Sequence, residues 1–73
     1  MNATAAATET LCRDIENLLR RHQNPGRCRP ATIFGAPGLS ICSGKALSAA
    51  LRRAIRAAAD AAGMAGEITH TNS

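Results

Sequence analysis

A single aromatic ring, Phe34, has to serve a chain of 73 residues, and this scarcity of large apolar side chains constrains the fold more than any motif does. Alanine supplies much of the 45% hydrophobic content. It contributes little beside the roughly 1.5–3 kcal/mol gained by burying a Leu, Ile or Phe side chain. The candidate core is correspondingly small: Leu11, Ile15, Leu18, Leu19, Ile33, Phe34, Leu39, Ile41, Leu47, Leu51, Ile55, Met64 and Ile68. At this length one domain is expected, burying about 60% of its unfolded surface, and its stability should be modest.

Helical periodicity organises most of those residues. Leu11, Cys12, Ile15, Leu18 and Leu19 follow the i, i+1, i+4, i+7, i+8 spacing of one buried face, behind a Thr8 or Thr10 cap. Glu9 with Arg13 and Glu16 with Arg20 make pairs four apart on the exposed side. Asn24, Pro25 and Gly26 end this helix. From Lys45 to Gly63 a second amphipathic helix is expected, with Ser40 or Ser43 as its cap and Gly63 just past its end. Its apolar stripe is Leu47, Leu51, Ile55, Ala58 and Ala62, and Lys45, Ser48, Arg52, Arg53, Arg56 and Asp60 gather opposite.

Between the helices, Pro30 can open a short helical element through Phe34, ended by Gly35; an extended Ile33–Phe34 is the alternative. Leu39 and Ile41, two apart, carry a weak strand signal. No second strand stands out to pair with either piece, so an all-α domain is expected: two principal helices with a short third element between them. Residues 8–66 form that domain, flanked by a flexible N-terminus, 1–7, and a polar, flexible tail, 67–73.

The charge is +4 with a pI near 9.8, which favours nucleic acid, an acidic protein surface or an anionic membrane as partner. The cations cluster twice. Arg20, Arg21, Arg27 and Arg29 occupy one acid-free stretch, and Lys45, Arg52, Arg53 and Arg56 the other. Membrane binding is disfavoured, because the long helix carries Ala where interfacial helices carry Trp, Phe and more Leu, and no apolar run reaches 18 residues. For DNA, the interval of about twenty residues between the helices is far longer than a helix-turn-helix connection. Stacking on single strands would rest on Phe34 alone.

Three cysteines, Cys12, Cys28 and Cys42, cannot form a complete disulfide framework, which suits a reducing cytoplasm. No closely spaced pair is present to hold zinc together with His22 or His70, so no cofactor is expected and the default is buried free thiols. Cys28 lies between Arg27 and Arg29, neighbours that favour thiolate, and reads as an exposed, reactive but noncatalytic thiol. The segment GLSICSGK, Gly38 to Lys45, imitates a phosphate loop. It has five residues between its glycines where four are needed, and Ala46 stands in place of the metal-binding hydroxyl, so it reads as a plain helix start. No complete catalytic motif is present.

Taken together, the TLCRDIENLLRRH helix, the Pro/Gly-broken middle and the ALRRAIRAAADAAG helix form a small basic unit. It resembles the small phage-encoded transcription regulators that bind host RNA polymerase, of which Xanthomonas phages carry an example. The resemblance is one of format and transfers no site residues. It implies a protein that binds host RNA polymerase, inhibits initiation and alters termination. The expected function is thus noncatalytic regulation of transcription in the bacterial cytoplasm. Arg52, Arg53 and Arg56 are the first candidates for an acidic partner surface, with Lys45 beside them, and Arg20, Arg21, Arg27 and Arg29 are the second set. A small repressor gripping duplex DNA through its basic helix is the alternative.

Overall fold

The computed structural model describes residues 3–72 and corrects the all-α expectation: the chain is an α/β domain. In order, its elements are α1 (Ala3–Arg21), β1 (Gly26–Ile33), β2 (Ala36–Ser43), α2 (Ala49–Ala61) and β3 (Ile68–Asn72). The sheet order is β1-β2-β3, with β1 antiparallel to β2 and β2 parallel to β3.

The middle of the chain, expected to be helical from Pro30 to Phe34, is a β-hairpin. Its loop is the dipeptide Phe34–Gly35, with φ of 51° and 78°. Two successive positive φ values give the turn whose twist matches that of paired strands. Eight residues then pair on each side, from Ile33 with Ala36 to Gly26 with Ser43. Pro30 is accommodated because β1 is an edge strand, the place in a sheet where proline is tolerated. Phe34, assigned to the core above, stands at the tip and is 97% exposed.

Both helices cover one face of the sheet. Leu11, Cys12, Ile15 and Leu19 of α1, Cys28 of β1, Leu39 and Ile41 of β2, and Leu51, Ile55 and Ala59 of α2 form one buried cluster, which Leu47 joins from the loop before α2. Leu18, Met64 and Ile68 pack at its margin. Strand alternation sends Arg27, Arg29, Cys42, Thr69 and Thr71 to the uncovered face, where all are exposed.

Each helix ends in a complete Schellman motif. In α1, Asn24 N–H reaches Leu19 O at 2.9 Å and Gln23 N–H reaches Arg20 O at 3.0 Å, with Gln23 at φ 56°. In α2, Met64 N–H reaches Ala59 O at 2.9 Å and Gly63 N–H reaches Asp60 O at 3.0 Å, with Gly63 at φ 79° in the position expected for it. At its start α2 is shorter than expected: Ser48, not Ser40 or Ser43, caps it by accepting from Leu51 N–H at 3.1 Å. Gly38 to Ser43, read as a helix start, is most of β2.

Residues 3–7, assigned above to the N-terminus, lie in α1, and 68–72 of the tail supply β3; residues 1, 2 and 73 lie outside the described residues. Gly66 permits the approach to β3, because a Cβ there would fall 2.0 Å from Pro37 O. Among the described residues no helix is long and apolar enough to cross a membrane.

Candidate functional site

Chain direction decides where the cations go. The end of α1, the start of β1, the end of β2, the start of α2 and the end of β3 all meet at one pole of the molecule. Arg20 and Arg21 lie in the last turn of α1, Arg27 is the second residue of β1, Lys45 sits in the β2–α2 loop, and Arg52 and Arg53 follow the first turn of α2. The two clusters seen in sequence thus become one, holding six of the nine Lys and Arg residues. Of the carboxylates, Glu9 lies earlier in α1 and Asp60 at the end of α2, while three border the pole: Asp14 shares a groove with Arg21, Glu16 reaches the Cys28 amide beside Arg27, and Glu67 lines a pocket with Arg52. The positive end of the α2 macrodipole faces the same pole, with no acid in its first turn.

Hydrogen bonds fix this pole. Asn24 is buried and bonds both backbone groups of Lys45: its Nδ2 donates to Lys45 O, and Lys45 N–H donates to its Oδ1, each at 2.9 Å. Lys45 Nζ donates to Gln23 O at 3.3 Å, tying the loop to the end of α1. Arg52 Nε donates to Leu47 O at 3.3 Å, while Arg21, Arg27 and Arg53 are exposed.

Two candidates occupy different positions. Arg29 points from the open face of the sheet, further from the pole than Arg27. Arg56 is half-buried and engaged within the fold: its guanidinium donates to Met64 O at 2.7 Å and Gly66 O at 3.0 Å, and it pairs with Asp60 at 3.1 Å. It clasps the α2–β3 loop. Arg56–Asp60 is the only ion pair within 4.0 Å among the described residues. Glu16, expected to face Arg20, instead accepts from the Cys28 backbone N–H at 3.0 Å, and Arg20 donates to Asn17.

Beside the pole, Leu47, Arg52, Ile55, Arg56, Ile68 and His70, with Glu67, line an open pocket of about 580 Å³ between α2 and β3. Sequence reading assigned no role to its His70 or Glu67, although the alternation Ile68, Thr69, His70, Thr71 is a strand signal that points His70 inward. His70 Nε2 lies 2.7 Å from Ser43 Oγ, which is itself 3.0 Å from Lys45 O. A carbonyl only accepts, so the Ser43 proton goes to Lys45 and Nε2–H donates to Ser43. This polarity is the reverse of an activated nucleophile, in which the imidazole takes the hydroxyl proton.

The cysteines are arranged differently from the sequence reading. Cys28 is not an exposed thiol flanked by cations: alternation turns Arg27 and Arg29 to the opposite face and Cys28 into the core. Burial, above all, pushes its pKa far up, and its hydrogen bond to Cys12 adds to the shift. Cys12 is buried as expected, with its pKa raised chiefly by burial. Cys42, expected to be buried, is exposed on the open face. Among the described residues, no group of three or more His, Cys, Asp or Glu side chains is placed to hold a metal ion. Comparison with known proteins finds no matching family model, no matching curated protein and no matching solved structure.

Proposed function

We propose that this chain is a noncatalytic regulator of transcription that docks its basic pole on an acidic protein surface, with bacterial host RNA polymerase as the partner and inhibition as the outcome. The observation that carries the docking is the gathering of charge: Arg20, Arg21, Arg27, Lys45, Arg52 and Arg53 share one end, and none of them is in an ion pair within 4.0 Å among the described residues. On a body whose longest extent is 34 Å, such a pole steers an acidic partner and fixes its orientation. The choice of polymerase rests on the resemblance of the two amphipathic helices and their basic character to phage regulators. Such a protein would act in the host cytoplasm.

The test neutralises three exposed cations at once, Arg21→Gln, Arg27→Gln and Arg53→Gln, and leaves Arg56 in place. The parent should inhibit transcription by purified bacterial polymerase and stay bound to it after nuclease treatment. The variant should melt as the parent does and inhibit at least tenfold more weakly. Full inhibition by the folded variant would remove the pole as the docking surface. Equally tight binding of the parent to bare duplex DNA, falling steeply as salt rises, would transfer the pole to nucleic acid.

A further inference from the structure

Cys12 in the middle of α1 and Cys28 near the start of β1 place their sulfurs 3.5 Å apart inside the core, 16 positions apart in the chain. A disulfide bond is about 2.05 Å long, so closure requires the sulfurs to approach by about 1.5 Å. The third thiol is excluded from this pairing. Cys42 projects from the opposite face of the sheet, exposed, while Cys28 is cross-strand partner to Ile41 on the covered face.

We infer that Cys12 and Cys28 are an oxidation site, a thiol pair that hydroperoxides convert to a disulfide stapling α1 to the sheet. The structure suggests an order of events. The Cys28 thiol donates its hydrogen bond to the Cys12 sulfur, which favours loss of the proton from Cys12 over loss from Cys28. Cys12 gives up its proton to water and attacks one oxygen of hydrogen peroxide. The O–O bond breaks, hydroxide leaves and takes up a proton as water, and Cys12 becomes a sulfenic acid. The Cys28 sulfur then attacks the Cys12 sulfur. An S–S bond forms, the S–O bond breaks, and the departing hydroxide leaves as water with the Cys28 proton. In total, two thiols and one hydrogen peroxide give one disulfide and two waters; each sulfur is oxidised by one electron and the peroxide is reduced by two.

The staple has a physical effect. Closing a loop of this size removes conformational freedom from the unfolded chain, so the oxidised form should melt higher by about 10 °C or more.

The experiment uses full-length Cys42→Ser protein, which removes intermolecular pairing through the exposed thiol. It is treated with hydrogen peroxide, denatured, alkylated with iodoacetamide and mapped by mass spectrometry. The expected result is a monomer lighter by two hydrogens, with Cys12 and Cys28 joined, a raised melting temperature and full reversal by dithiothreitol. Adding Cys28→Ser should abolish the mass loss and leave Cys12 as sulfenic acid or a higher oxide. The inference is overturned if both thiols remain alkylatable after a peroxide dose that fully oxidises free glutathione. It is equally overturned if sulfinic acid forms at Cys12 with Cys28 still free, or if the linked protein melts no higher than the reduced one.

Discussion

Asn24 treats Lys45 as a neighbouring strand would, donating to its carbonyl and accepting from its amide, both at 2.9 Å. The side chain is buried, so its loss would strand polar groups that water reaches poorly. Asn24→Ala should therefore cost about 2–4 kcal/mol in urea denaturation, the sum of two hydrogen-bonded groups left without partners. Asn24→Asp should also destabilise, because a carboxylate cannot donate to Lys45 O. A loss below 0.5 kcal/mol in both variants would mean that the clamp contributes nothing.

Two left-handed residues are conformationally mismatched. Gln23 at φ 56° and Phe34 at φ 51° occupy backbone positions that favour Gly or Asn. Gln23→Gly and Phe34→Asn should each raise stability by about 0.5–1 kcal/mol, seen as a higher melting temperature. The bond from Lys45 Nζ to Gln23 O uses backbone and survives the first change. Phe34, at 97% exposure, has little burial to lose in the second.

Arg53 and Arg56, neighbours on a helical projection, should respond differently to alanine. Arg56 holds two loop carbonyls as well as Asp60, whereas Arg53 is exposed. Arg56→Ala should lower stability by about 1–3 kcal/mol and loosen the α2–β3 loop. Arg53→Ala should change it by less than about 0.5 kcal/mol. Hydrogen exchange around Gly66 would report the difference directly.

Thiol reactivity should rank by exposure. Iodoacetamide should modify Cys42 rapidly in the folded protein, and Cys12 and Cys28 only at the rate of opening. Both buried thiols have pKa values raised by burial above the ordinary 9.0. The unfolded chain therefore loses these protons first as pH rises. Their contribution is complete below pH 9 and is lost progressively above it. The stability gap between the parent and Cys28→Ala should narrow from pH 8.5 to 10.5. A constant gap across that window would refute the linkage.

How much of this was legible beforehand varies by element. The α1 face was readable because Leu11, Cys12, Ile15 and Leu19 repeat with the helical period and all end up buried. Leu51, Ile55 and the Gly63 terminus of α2 were readable for the same reason. The hairpin was obscured because β1 contributes Cys28 as its one buried residue and carries Arg27, Arg29 and Pro30 around it. β3 was obscured because its inward His70 is polar, satisfied by a Ser43 that sequence reading had offered as a helix cap. For the site, residue types were readable but grouping was not. Strand pairing joins two distant basic clusters, and a loop invisible to periodicity recruits Arg56 into the fold.

Because β3 runs parallel to β2, its seat in the sheet exists only after the chain has crossed over through α2. The β1–β2 hairpin closes across two residues and can form early; β3 must close the longer loop, at a greater entropic cost, before any of its hydrogen bonds are made. Seating of β3 should then come late in folding, and its departure should be an easy partial unfolding. When it leaves, His70 parts from Ser43, Glu67 from Leu39, and the α2–β3 pocket loses one wall. Connectivity should thus set an order of assembly, in which the helix-covered hairpin is the foundation and the last strand a door that opens before the house falls.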